Sequence, residues 1–465
     1  MAFIKNKYTV AILICILLGS VIGVYSDSPI AILCLLLIIG TFVFIAKELA
    51  LCILLICLPF SFRYIIPQFL EIQTPTEPLL GMLCTVYFIK KILDYILGKR
   101  EETRFPFLLP LGCFILVTFL SVINTPDTFG TVKGSIRASI YILFSVVVYD
   151  IVISRKSLDR ISTAAFPSGA IAVIWTVIIL IYNIDEWQWT SSYQNSPFTN
   201  YSVYGSFTAI FFLICLSRLM FDNGEYDRVL WSGMIICFGV GLIMCFSRGV
   251  WLSVFVAIGF MLLQLGKGVT HRKVLFIGIA CLVILVTFSF PGVYNSVIER
   301  ISTTVDINYA SNKARLLRWG QAINMFIQNP ILGKGYGAFA MLYEEDIALV
   351  GTYTAQYQLG AHSEYLQVMA ELGIIGLGVW IWLNLSFLIF GFKALKRIDN
   401  GFYRSVIIGL MASEISLMTH FVVNNLLNGD AIGVPFWGIY GLLPAVVQLA
   451  ENRSENITQE NLIRV

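Results

Sequence analysis

The feature that most constrains this chain is a long succession of apolar runs separated by charged or polar breaks. Each run is close to the ~20 residues that a helix needs to cross a hydrocarbon layer about 30 Å thick. Divided at the breaks, the candidate spans are Thr9 to Tyr25, Pro29 to Ala46, Leu49 to Phe62, Pro78 to Leu97, Phe105 to Asn124, Ile136 to Ile153, Ala164 to Tyr182, Gly205 to Phe221, Val229 to Phe246, Gly249 to Leu265, Val274 to Phe290, Leu372 to Phe392, Ser405 to Val423 and Ala431 to Ala450. The third is short and the fourth carries Lys90, Lys91 and Asp94 near its end, so either can be partial or tilted, and 12 to 14 crossings are expected. A run in lipid must satisfy its backbone polar groups internally, which means helices. With 13% of residues charged and a mean hydropathy of +0.82, a water-soluble domain of this size is excluded. The expected fold class is an all-α polytopic membrane protein.

Charge then reports topology. A formal net charge of +3, scattered between spans, gives no footprint for nucleic acid. With the N-terminus inside, the inner segments hold 22 of the 31 Lys and Arg residues, and the other nine are Arg63, Lys133, Arg137, Arg248, Arg300, Lys313, Arg315, Arg318 and Lys334. This alternation follows the positive-inside rule and puts both termini in the cytoplasm. Lys5 and Lys7 before an apolar run imitate a signal peptide, but no small-residue cleavage site follows, so the first helix is read as retained. The ten cysteines, Cys15, Cys34, Cys52, Cys57, Cys84, Cys113, Cys215, Cys237, Cys245 and Cys281, all fall in apolar spans without zinc-like pairing, and read as small buried apolar residues. The organisation is then helices with short loops over 1–204, including a smaller outer loop from Asn183 to Tyr204 with Asp185, Glu186, Trp187 and Trp189, a second membrane region over 205–450 that contains the long outer loop, and a cytoplasmic tail over 451–465.

Within the second region about eighty residues, from Pro291 to Glu371, break the apolar succession and fall on the outer face. Trp319, Ala322, Ile323, Phe326 and Ile327 recur at helical spacing, so an amphipathic helix is expected, ended by Asn329-Pro330. Arg315 and Arg318 sit one turn apart near its start, where they share a face. A second helix is expected from near His362, with Tyr365, Val368, Met369 and Leu372 in register, running directly into the next span.

These residues suggest chemistry on a phosphorylated group. Two nearby guanidinium groups make a seat for phosphate or diphosphate, and a histidine exchanges a proton near neutral pH. Arg248, in Phe246-Ser247-Arg248-Gly249-Val250-Trp251-Leu252, lies between two spans only two residues apart. Facing lipid near the bilayer middle it would cost about 3 kcal/mol or more, so it meets water, a partner or a polar cavity. The bland alternatives are an arginine snorkelling to headgroups for Arg248 and a solvated helix face for Arg315 and Arg318. His271, in a basic loop, and His420, inside a span without a polar motif, read as structural. The run Gly333-Lys334-Gly335-Tyr336-Gly337 lacks the ending of a nucleotide P-loop and follows no strand; it reads as a turn whose amides could face an anion. Glu344, Glu345 and Asp346 could bind a cation or a sugar, or form a hydrated acidic turn.

Taken in order, Ser247-Arg248-Gly249-Val250-Trp251-Leu252, Arg315 four residues before Trp319, Asn329-Pro330-Ile331-Leu332-Gly333-Lys334-Gly335, and His362-Ser363-Glu364-Tyr365-Leu366-Gln367 followed by Glu371-Leu372-Gly373 resemble the signature of the O-antigen ligase and polymerase superfamily. The resemblance implies a GT-C type glycosyltransferase. It would move a glycan from an undecaprenyl diphosphate carrier, on the outer face of the inner membrane, to an acceptor glycan or anchor during assembly of O-antigen, capsule or exopolysaccharide. It implies an inverting reaction without metal or other cofactor, in which arginines neutralise the diphosphate leaving group. Arg248 and Arg315 would hold the diphosphate and His362 would orient or deprotonate the acceptor hydroxyl. Arg318 would assist, and Tyr365 and Lys334 complete the candidate substrate-binding set. The implied partners are the lipid-linked donor, a glycan or lipid-anchored acceptor, membrane lipids and other polysaccharide-assembly membrane proteins. Polymerase and ligase share these motifs. A transporter or lipid-linked oligosaccharide flippase of similar span count is the alternative from a different class, disfavoured by the missing internal repeat.

Overall fold

A computed structural model of the chain describes residues 40–41, 43–66, 70–99, 104–182, 196–198, 200–222, 228–265, 298–299, 302, 310–345 and 360–463. Outside them lie the spans Thr9 to Tyr25 and Val274 to Phe290 and most of Pro29 to Ala46, with Lys5, Lys7, Cys15, Cys34 and Cys281. The acidic and tryptophan residues Asp185 to Trp189, and also His271, Arg300 and Asp346, lie outside them as well, as do the side chains of Arg63, Glu344 and Glu345.

Helices account for nearly all of the described chain: α1 (Lys47–Cys57), α2 (Thr76–Ile96), α3 (Leu108–Leu120), α4 (Thr128–Ile151), α5 (Arg155–Tyr182), α6 (Tyr201–Phe221), α7 (Arg228–Met244), α8 (Arg248–Leu263), α9 (Ala310–Gln328), α10 (Phe339–Glu345), α11 (Glu364–Leu395), α12 (Gly401–Phe421) and α13 (Asp430–Ile463). Among the described residues five are long and apolar enough to cross a membrane, namely α4, α5, α6, α11 and residues 430–453 of α13. The third expected span is indeed partial, since α1 has 11 residues, about 16 Å of helix at the usual rise per residue. Pro59 turns the chain there through a short 3-10 turn, Leu58–Phe60. The chain then forms the one sheet among the described residues, an antiparallel ribbon of β1 (Phe62–Ile66) and β2 (Leu70–Thr74), paired Phe62 to Thr74 and Ile66 to Leu70. The proline stop and the aromatic, β-branched sequence Phe62-Arg63-Tyr64-Ile65-Ile66 favour extended backbone over a continued helix.

The bundle is apolar outside and carries small polar residues inside, the arrangement expected in lipid. On α5, Ile171, Ile174 and Ile178 form an exposed stripe at helical spacing, while Ser168, Ala172 and Thr176 are buried. Small residues let backbones approach. The Cβ position of Gly409 on α12 lies 3.0 Å from the Ile214 Cα of α6, and Ser413, one turn on, donates to the Ile210 carbonyl at 3.3 Å. Ser253 of α8 and Ser416 of α12 bond at 3.0 Å. These contacts set α12 between α6 and α8, so the start of α8 and the end of α12 lie at the same end of the bundle.

Helix α11 does not run straight from His362 into its span. Ser363 is its N-cap, and at Gly373 (φ 67°, ψ −164°) the helix breaks. The cause is a backbone docking. The loop after α9 crosses at this point, its Pro330 carbonyl accepting from Ile374 N–H at 2.8 Å and its Lys334 and Gly335 amides donating to the carbonyls of Ala370 (3.1 Å) and Glu371 (3.0 Å). A Cβ at Gly373 would sit 2.3 Å from the Ile331 oxygen, and one at Gly333 2.2 Å from the Glu371 carbonyl carbon, so both positions require glycine.

Candidate active site

Arg248 opens α8 because the chain reverses sharply after α7, with Phe246 in the left-handed region (φ 50°) and Ser247 extended. Ser247 is the N-cap by position, yet its side chain makes no capping bond. The next residue explains the motif's glycine. A Cβ at Gly249 would lie 2.7 Å from Cδ2 and 2.9 Å from Nε2 of His420, so α12 can bring this histidine against the first turn of α8 only if that position is bare. His420, 2% exposed, also bonds through Nδ1 to Ser206 Oγ of α6 at 2.7 Å.

Helix α9 supplies the other side. Arg248 Nη2 donates to Asn312 Oδ1 at 3.1 Å, and Arg315 follows Asn312 by three residues, on the same face. Arg315 is half-buried, its Nε is enclosed without a hydrogen-bond partner among the described residues, and its charge acts on the His420 ring. Arg248 and Arg315, 67 residues apart in sequence, thus both come to the neighbourhood of Asn312 and His420. Arg318, one turn further, is only 4% exposed and so is not on a solvated face. His420, which the sequence reading treats as structural, lies within this group. Its signal was weak, because the partners of a lone histidine inside a span come from other helices.

His362 is placed by the turn that follows α12. Its backbone is left-handed (φ 54°), its N–H donates to Asn425 Oδ1 at 2.9 Å, and its carbonyl accepts from the Trp319 indole at 3.4 Å. Its Nδ1 lies 2.8 Å from Asn424 Oδ1. That oxygen also accepts from the Asn425 N–H at 3.1 Å, which identifies it as the carbonyl end of the amide. Nδ1 is therefore the donor, and Nε2 keeps its lone pair. Glu364 strengthens the junction, its N–H donating to the Asn424 carbonyl at 3.1 Å and its carboxylate accepting from Leu426 N–H at 3.1 Å. The pair Asn424-Asn425 was missed from sequence. Its signal is two adjacent amides just past the end of a span, on the same expected face as His362.

The glycine run does face an anion, and that anion belongs to the protein. The buried Glu371 carboxylate accepts from Gly337 N–H at 2.9 Å, from Phe339 N–H at 3.2 Å and from Gln367 Nε2 at 3.3 Å. On its other side the loop meets the start of α4 and the turn after α3: Tyr336 N–H donates to Ser121 Oγ at 3.0 Å, and a Cβ at Gly335 would meet Thr125 and Thr131. Burial pushes the Tyr336 phenol up, and the Glu371 and Glu364 carboxyls push it the same way. Lys334 is half-buried, its amide bound to the Ala370 carbonyl; no hydrogen bond among the described residues joins it to Arg248, Arg315 or His362. Tyr365 uses its hydroxyl to donate to the Met418 carbonyl of α12 at 3.2 Å.

The model of the O-antigen ligase family matches residues 233–381, a stretch that includes Arg248, Arg315, the glycine run, His362 and Glu371. No curated protein matches the chain. The four motifs that this stretch carries in order are thus brought to adjoining helix ends in a membrane bundle, and over residues 233–381 the chain is similar to the O-antigen ligase family.

Proposed function

We propose that the protein is a glycosyltransferase that moves a glycan from undecaprenyl diphosphate to an acceptor hydroxyl on the outer face of the inner membrane, as polymerase or ligase in cell-surface polysaccharide assembly. The acceptor oxygen attacks the anomeric carbon and the bond from that carbon to the diphosphate oxygen breaks. The electron pair leaves with the diphosphate, the hydroxyl proton goes to His362 Nε2, and the anomeric configuration inverts. Arg248 and Arg315 neutralise the leaving diphosphate in a partly dry site, where such charge compensation is worth most. Arg318 assists them, Tyr365 and Lys334 contribute to the substrate-binding surface, and no metal is required.

The observation that carries this reading is a matched pair of anchors. Trp319, four residues beyond Arg315, reaches the His362 carbonyl, and Asn424, four residues beyond His420, holds the His362 ring. The base and the arginines are thus held by the same two elements, α9 and the turn that ends α12. That arrangement suits an incoming hydroxyl and a departing phosphate oxygen meeting one carbon. The test is purified protein in lipid with a synthetic undecaprenyl diphosphate glycan. Transfer should be lost in Arg248→Ala and Arg315→Ala and the product should be inverted; normal transfer by both variants removes the diphosphate seat from the account.

A further inference from the structure

The His420 ring is buried, lies against a glycine and has one hydrogen bond among the described residues, to Ser206 Oγ at 2.7 Å. That bond fixes the ring's tautomer. Ser206 is itself 3% exposed, and the bond to Nδ1 is its hydroxyl's one hydrogen bond among the described residues. Were Nδ1 the donor, the serine proton would be buried without an acceptor, a costly outcome that buried hydroxyls avoid. The serine therefore donates to Nδ1, and the proton of the neutral ring is on Nε2.

Nε2 faces the first turn of α8, 2.9 Å from the Cβ position of Gly249. Three further features at this place call for an anion. The first-turn amides of α8 are left without a capping side chain although Ser247 stands at the N-cap, and a helix start attracts negative charge. Arg315 keeps an enclosed Nε with no hydrogen-bond partner among the described residues. Arg248 sits at the same helix start, held by Asn312.

We propose that His420 is a third ligand of the diphosphate, its Nε2–H donating to a phosphate oxygen between Arg248 and Arg315; this rests on the diphosphate reading of the site. His362 and His420 then have opposite tautomers and opposite duties, one set by Asn424 and the other by Ser206. His362 accepts a proton from the incoming hydroxyl, and His420 presents one to the leaving group.

Two substitutions separate this role from a structural one. His420→Gln keeps a donor near the Nε2 position and loses the Ser206 partner, whereas His420→Asn keeps an acceptor for Ser206 and loses the donor. Binding of inorganic pyrophosphate to the full chain in lipid nanodiscs is the measurement. His420→Asn and His420→Leu should weaken it about 10- to 100-fold, the range for one hydrogen bond to a charged group, and His420→Gln should stay near the wild type. The converse pattern, Asn near the wild type and Gln weak, overturns the proposal. If Arg315→Ala binds pyrophosphate as the wild type does, the diphosphate reading itself fails; if Arg315→Ala is weak and every His420 variant is normal, only the role of His420 fails. A measurement on the unmutated protein guards against variants that do not fold. With three histidines in the chain, nitrogen-15 spectra of histidine-labelled protein should show His420 protonated at Nε2 and shifted by pyrophosphate, and an unshifted signal overturns the proposal.

Discussion

The Nδ1 of His362 and the Oδ1 of Asn424 are 2.8 Å apart, and the bond joins the entry to α11 with the exit from α12 although the two residues are 62 apart in sequence. Asn424 stands to His362 as an orienting group stands to a base in any nucleophile-activating pair: it fixes which ring nitrogen is free. Asn424→Ala leaves the ring without this constraint, and transfer should fall about 10²-fold, the low end of what general acid-base catalysis supplies. Donor binding should be nearly unchanged, because the arginines are untouched. Steady-state kinetics with the lipid-linked donor varied check this: a fall in kcat at constant KM is expected, and a rise in KM alone contradicts the orienting role.

The arginine seat predicts a failure of a conservative change. Arg248 holds Asn312 through Nη2 and remains half-buried at the start of α8, a geometry that uses the planar fork of a guanidinium. Lysine offers a compact point charge on a mobile stem and lacks the planar fork that presents parallel donors to a phosphate while another is held by Asn312. Arg248→Lys should therefore retain membrane insertion yet lose most of the transfer that Arg248→Ala loses. Asn312→Ala should show an intermediate loss, about 10-fold for one charge-assisted hydrogen bond. The assay is single-turnover transfer, and wild-type rates in Arg248→Lys would show that charge alone suffices.

The helices were legible because lipid imposes one solution on an apolar run of the right length. Each expected span from Pro78 to Leu265 and from Leu372 to Ala450 overlaps a helix. What periodicity could not show was the consequence of a remote partner. The break at Gly373 exists because the loop carrying Ile331 lies against it, and nothing within residues 364–395 announces that neighbour. The ribbon at 62–74 escaped for a related reason, since apolar composition does not distinguish a short helix from a strand. Arg248, Arg315 and His362 were legible as charges and a proton carrier in places where lipid cannot hold them. Asn424, Ser206 and His420 were not, because their chemistry arises only when the end of α12 meets the start of α11, and α12 meets α6 and α8. Glu414 belongs with these: buried in α12, it accepts from the Tyr440 hydroxyl of α13 at 3.3 Å, a pairing that its own apolar surroundings in sequence do not suggest.

The docking of the two glycines predicts that they fail for steric and conformational reasons together. Gly333 (φ 69°) and Gly373 (φ 67°) both lie where L side chains are disfavoured, and each Cβ would collide with backbone rather than with a movable side chain. The left-handed cost is roughly 1–2 kcal/mol per residue and overpacking adds about 1–3 kcal/mol. Gly333→Ala and Gly373→Ala should each lower the thermal midpoint of purified protein clearly, whereas Gly378→Ala, with open space at its Cβ, should not. Equal midpoints for all three would mean that the backbones are further apart than described.

Glu371 supplies the last test, which distinguishes scaffold from chemistry within one motif. Its carboxylate accepts three hydrogen bonds, from the amides of Gly337 and Phe339 and from Gln367 Nε2, and it is 3% exposed. All three partners are donors, so Glu371→Gln puts an NH₂ group against at least one of them and leaves buried donors unmatched. The cost should be about 1–3 kcal/mol, typical for an unsatisfied buried group. Gln367 offers a repair. Its Oε1 accepts from Ala361 N–H at 3.2 Å, a role a carboxylate also fills, so Gln367→Glu restores an acceptor opposite the new amide while keeping that bond. The double variant should therefore be more stable than the sum of the single changes requires, with a coupling of about 1 kcal/mol in a double-mutant cycle. If the carboxylate serves only the fold, transfer per folded molecule at low temperature should be close to the wild type in Glu371→Gln, in contrast to Asn424→Ala. A stable but inactive Glu371→Gln would move Glu371 from the scaffold into the reaction.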